Sequence, residues 1–184
     1  MKLASKHIDE LIALCKKNDQ KAQFEIYNRY SKAMYNVAFR IVKDYHFAED
    51  IMQEGFLKAF IKIDSYKNEV AFGAWLKRII VNCSIDFYKQ QNKYYKEDFD
   101  NLAVTLVEND NDFIDSASFN ELKMQQILAT LQTMKESYSM VLTLFYIEGY
   151  DQEEISEILN ISYANCRTTL CRAKENLRSK LMKL

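Results

Sequence analysis

The chain has 184 residues, 48% of them apolar, with a formal net charge of −1, no proline and three glycines. That apolar share is enough for a packed core and excludes wholesale disorder. The shortage of Gly and Pro excludes a strand-rich fold, whose turns depend on them. The longest apolar run, Met140 to Ile147, is interrupted by Thr143, and no basic-then-apolar leader opens the chain. A cytoplasmic protein with no membrane insertion is therefore expected.

Helical periodicity runs through the first half. Ile8, Leu11, Ile12 and Cys15 mark a short helix, and Asn18-Asp19 breaks and recaps the chain. Tyr27, Tyr30, Met34, Val37 and Ile41 follow a 3-4-3-4 rhythm up to Asp44. Ala48, Met52, Gly55 and Ala59 give the next helix its stripe, and Leu76, Ile80, Cys83 and Phe87 the fourth. After Tyr95 the pattern fails. Residues 97–121 hold eight acids and no base, a composition that reads as a flexible acidic linker over 96–117. Periodicity returns with Leu122 to Leu131 and Val141 to Phe145, followed by two helices around a tight turn. The expected architecture is all-α: two small helical domains, 1–95 and 118–184, the second containing a helix-turn-helix.

Catalytic chemistry finds no support. Cys15, Cys83, Cys166 and Cys171 show no CxxC spacing, and His7 and His46 are the only histidines. Each cysteine is placed on an apolar stripe as a reduced core thiol, so neither a metal site nor a disulfide framework is expected. With no GxSxG or glycine-rich phosphate loop either, the chain reads as a non-enzyme without a cofactor.

Three surfaces carry binding chemistry instead. Asp151 with Glu154 makes a capping-box start, Asn160 suits a left-handed turn, and Ser162 can cap the last helix. That helix buries Cys166, Leu170, Ala173, Leu177 and Leu181. Its other side offers Tyr163, Asn165, Arg167, Thr168, Arg172 and Lys174 to base edges and phosphates. Over 163–184 six Lys/Arg stand against Glu175 alone, so local sign outweighs the neutral total. In the fourth helix, Trp75, Arg78, Asn82 and Asp86 share a face rotated away from the core stripe. Stacking aromatics beside Arg and an amide suit unpaired bases, though spacing equally fits a Trp at a core edge. In the third helix, Asp50, Gln53, Glu54, Leu57 and Ile61 lie opposite the core stripe, as a protein-docking surface or a solvated charged face. Spacing alone leaves three classes open: an initiation factor, a helix-turn-helix regulator of duplex DNA, and a helical adaptor binding only proteins.

The segments FEIYNRYSKAMYNVAFRIVKDYHFAEDIMQEGFLKAF and FGAWLKRIIVNCSIDFYKQ resemble the polymerase-docking and −10-opening region of the sigma-70 family. The later LTLFYIEGYDQEEISEILNISYANCRTTLCRAKENLRSKL resembles that family's −35-binding region. The order of the two, and the lack of intermediate domains, resemble the extracytoplasmic-function group. The resemblance implies a sigma factor that binds core RNA polymerase, recognises −10 and −35 promoter elements and promotes melting. It assigns Asp50, Gln53, Glu54 and Leu57 to polymerase, and Trp75, Arg78 and Asn82 to unpaired −10 bases. The loop from Tyr66 to Phe72 would supply a base pocket. The matching exposed positions from Tyr163 onward would read duplex −35 DNA, and an anti-sigma factor is an implied partner. Two departures stand out: Thr169 replaces a usual Arg, and Asn160 replaces the turn Gly.

Overall fold

Four helices of the protein, those beginning after Asp19, Asp44, Asp151 and Ser162, start where a side chain satisfies backbone N–H groups left free by the first turn. A computed structural model describes residues 3–95 and 119–182; it divides into two compact units, Met1–Tyr94 and Tyr95–Leu184. All regular elements among the described residues are helical. The expected linker, 96–117, lies outside them.

In the first unit, α1 (Ile8–Cys15) ends at a turn in which Asn18 takes a left-handed φ of 59°. The Asp19 carboxylate then accepts from the N–H groups of Lys21 (2.9 Å) and Ala22 (3.1 Å), starting α2 (Gln20–Val42). Lys43, also left-handed, returns its N–H to the Phe39 carbonyl, and Asp44 caps α3 (Tyr45–Ile61) by accepting from the Phe47 N–H. A single 3₁₀ turn, Ile63–Ser65, leads through a loop to α4 (Phe72–Tyr95).

The core gathers Leu11, Ile26, Met34, Ile41, Met52, Phe56, Leu76, Ile80 and Ile85. α3 and α4 pack closely at Gly55, where a built Cβ would stand 2.2 Å from Ile80 Cδ1. Glycine here leaves room for the end of the Ile80 side chain, which a Cβ would displace. Arg29 fastens the N-terminal turn, donating to the Lys6 and Leu3 carbonyls while pairing with Glu25.

In the second unit, α5 (Phe119–Gln132) and α6 (Glu136–Leu142) precede a π-helical turn, Thr143–Ile147, in which the Glu148 N–H reaches the Thr143 carbonyl. Gly149, at φ +77°, turns the chain into α7 (Gln152–Leu159). The expected capping box is formed: Asp151 Oδ1 accepts from the Glu154 N–H (2.8 Å), and Glu154 Oε2 from the Asp151 N–H (3.0 Å). Asn160 is left-handed (φ 54°), and the N–H of Ile161 closes a Schellman turn on the Ser156 carbonyl. Ser162 Oγ caps α8 (Tyr163–Leu181) through the Asn165 N–H. Leu142, Leu144, Ile155, Cys166, Leu170 and Ala173 close the core.

One cysteine departs from expectation. Cys15, Cys83 and Cys166 are buried, and burial pushes all three thiols up, Cys15 to about 11. Cys171 is exposed, because one helical step past Leu170 rotates it about 100° off the stripe.

Two substitutions test this packing. Gly55→Ala gains about 1 kcal/mol of helix propensity but forces Ile80 aside, an overpacking cost of about 1–3 kcal/mol. A net loss of about 1 kcal/mol is expected in thermal unfolding. Adding Ile80→Val, which removes the clashing Cδ1, should recover stability, giving a favourable coupling in the double-mutant cycle. Asp151→Ala removes the carboxylate that accepts from the Glu154 N–H while keeping its own N–H for Glu154 Oε2, and should cost about 1 kcal/mol, read as a lower midpoint for the second unit.

Candidate functional site

Three exposed faces carry the residues singled out by sequence. The outer side of α3 presents Asp50, Gln53 and Glu54 beside Leu57 and Ile61, which are 64% and 81% exposed. Large aliphatic side chains held this far out of the core mark a surface suited to a protein partner. Glu54 and Gln53 are held by neighbours one turn away. Glu54 Oε1 lies 2.7 Å from Lys58 Nζ, and Gln53 Nε2 donates to Glu49 Oε1 (3.4 Å). Lys58 also donates to Cys83 Sγ at 3.5 Å, and the hydrogen bond to Glu54 holds its ammonium pKa above the ordinary lysine value. Lys58 is a residue the sequence reading missed, although the four-residue spacing from Glu54 signals the pair.

The second face lies on α4. Arg78, Asn82 and Asp86 are exposed and Trp75 is half-buried, so the polar face and the Trp do share one side of the helix. Trp75 sits 5.3 Å from the Tyr66 ring and 5.5 Å from the Phe72 ring, centroid to centroid. Tyr30 of α2 backs this cluster, its ring 5.6 Å from Phe72. Tyr66 and Phe72, expected as base-contacting residues, are only 6% and 3% exposed, and their rings pack behind Trp75. The exposed part of the loop is Lys67, Asn68, Glu69, Val70 and Ala71.

The third face is the start of α8, where Tyr163, Asn165, Arg167, Thr168 and Arg172 are all exposed. Thr169, at the position where the family pattern usually has Arg, donates from Oγ1 to Asn165 Oδ1 at 3.1 Å. With its carbonyl engaged, Asn165 keeps its amide N–H groups as donors for an acceptor on a base edge. Thr168 Oγ1 donates to the Ala164 carbonyl (2.8 Å), which leaves its lone pairs and methyl for contact. Lys174 departs from the expected set. Its ammonium lies over the Phe145 and Tyr146 rings, at 4.9 and 5.4 Å, and the side chain is half-buried. This cation–π arrangement holds it against the π-helical turn.

Residues 26–94 match the family described as Sigma-70 region 2, and residues 124–177 match Sigma-70, region 4. The ECF RNA polymerase sigma factor SigW of Bacillus subtilis is 31% identical, over 96% of this chain and 98% of its own. SigM of the same organism, also an ECF RNA polymerase sigma factor, is 31% identical over 84% of this chain and 92% of its own. In fold, the chain is similar to the sigma factor RpoE of Bartonella quintana, solved with the anti-sigma factor NepR. The TM-score is 0.59 at 23% identity, covering 86% of this chain and 95% of that one. With matches to both regions in order and a relative spanning almost its whole length, the chain belongs to the sigma-70 family, in its extracytoplasmic-function group.

Proposed function

We propose that this chain binds core RNA polymerase through the outer face of α3, positions −35 duplex DNA on α8, and holds unpaired −10 bases on the Trp75/Arg78/Asn82 face of α4. Residues 1–95 form the polymerase- and −10-binding domain, 118–184 the −35-binding domain, and 96–117 a tether between them. Sigma factors supply specificity while polymerase supplies the chemistry, so no catalytic role is assigned to any residue here. An anti-sigma factor that occludes these faces, in the cytoplasm, completes the proposal.

The observation that carries it is the pairing of two faces in one small unit. An exposed acidic and aliphatic surface on α3 suits a protein, and a half-exposed Trp beside Arg and Asn on α4 suits single-stranded bases. A regulator of duplex DNA alone needs neither. Melting then follows from selective binding. Extruding a base costs a few kcal/mol, and stacking on an aromatic side chain returns about 1–3 kcal/mol per base, with amide and guanidinium hydrogen bonds adding to it.

Promoter-directed run-off transcription with purified core polymerase tests the whole reading. Absence of both promoter-dependent product and co-purification with core would overturn it. Trp75→Ala and Asn82→Ala should each lower open-complex formation by roughly ten-fold or more, with affinity for core unchanged. Leu57→Asp should do the reverse, weakening core binding by at least about ten-fold through loss of an apolar anchor. Arg167→Ala should cost about 1–3 kcal/mol of promoter binding, in a manner that depends on the −35 sequence and lowers the salt slope.

A further inference from the structure

The loop between the 3₁₀ turn and α4 is fastened at several points. The Tyr66 hydroxyl donates to the Val70 carbonyl at 2.7 Å, closing the loop from inside. Asn68 makes the reversal at φ 60°, in the left-handed region that asparagine tolerates. From the C-terminal end of α1, Lys16 Nζ donates to the Tyr66 carbonyl at 3.3 Å, across fifty residues of sequence. The Tyr66 ring stands edge-on to Phe72 (86°, 5.4 Å) and packs beside Trp75. Burial raises the phenol pKa, with the nearby Asp9 adding to it, so the hydroxyl stays a donor across the physiological range. The loop backbone is thus held while Lys67, Asn68, Glu69 and Val70 remain exposed.

We propose that Tyr66 is a positioning residue for reading the −10 element: its hydroxyl clamp on Val70 fixes the exposed loop tip, Lys67 to Glu69, next to Trp75, and Lys16 is the second fastening. The inference rests on the −10 reading above and changes what Tyr66 does within it. A loop of this length without its clamp samples many conformations, and ordering it on binding opposes capture of a base. Fixing it beforehand removes that cost from the binding step. The tip then offers a cation, an amide and a carboxylate to a base edge, and its identity rather than that of Tyr66 sets which base is preferred.

The test uses the full chain with core polymerase and a promoter library randomised at the −10 element. A 2-aminopurine in the non-template strand reports base extrusion. Tyr66→Phe keeps the buried ring and removes only the hydroxyl. It should reduce the extruded fraction about five-fold, the value of one net hydrogen bond, and flatten the −10 preference. Affinity for core should stay as in the wild type, and the unfolding midpoint should fall by no more than the few degrees that one net hydrogen bond is worth. Lys16→Met should act in the same direction, and Lys16→Arg, which keeps a donor, should restore the wild-type profile. Wild-type extrusion and preference in Tyr66→Phe would overturn the inference while leaving the sigma-factor reading intact. So would losses that merely track a lowered midpoint or weaker core binding. A wild-type chain that opens no promoter would overturn the reading beneath it, and the inference with it.

Discussion

The packing of Trp75 against Tyr66 and Phe72, backed by Tyr30, is the constraint on which the first unit's chemistry depends. A tryptophan wholly in the core has no face to offer, and one wholly in water has no fixed orientation. Four aromatic rings from α2, the loop and α4 resolve this by burying one side of the indole's surroundings and leaving Trp75 half out. The cluster also anchors the first turn of α4, and with it the register of Arg78 and Asn82 along the same side. Gly55 serves the same end from below, since the close approach of α3 and α4 fixes where that face stands.

Charge is organised locally in a chain whose total is close to neutral. Glu54 is paired with Lys58, and Lys174 is drawn over two rings, so neither acts as an isolated charge. Arg167 and Arg172 stay outward on α8. What a partner meets is therefore a small number of placed groups rather than a diffuse field. Such surfaces favour selectivity over sheer electrostatic affinity.

Much of this was legible in the sequence because it is local. Asp19, Asp44, Asp151 and Ser162 begin helices by bonds that reach two or three residues, and the apolar stripes follow from a period of 3.6. Asn160 at the turn needed only its own backbone preference. The residues whose placement was not legible are those whose surroundings arrive from far along the chain. Phe72 packs against Tyr30, and the Tyr66 carbonyl is met by Lys16, contacts that no window around the loop contains. Lys174 lies on the exposed side by spacing, yet Phe145 and Tyr146 are brought to it by a π-helical turn without a clear sequence signal. Thr169, which replaces a usual Arg, bonds Asn165 one turn away, a pairing that the family pattern does not encode.

The chain reversals also act on the unfolded state. Asn18, Lys43, Asn68 and Asn160 all take left-handed backbone, where glycine would sit with less strain. Glycine would, however, widen the range of conformations open to the denatured chain at each of these corners. With side-chain-bearing residues there, the corners begin with fewer alternatives to lose. The stability of these helix junctions is thereby set partly in the unfolded chain rather than by contacts in the folded one.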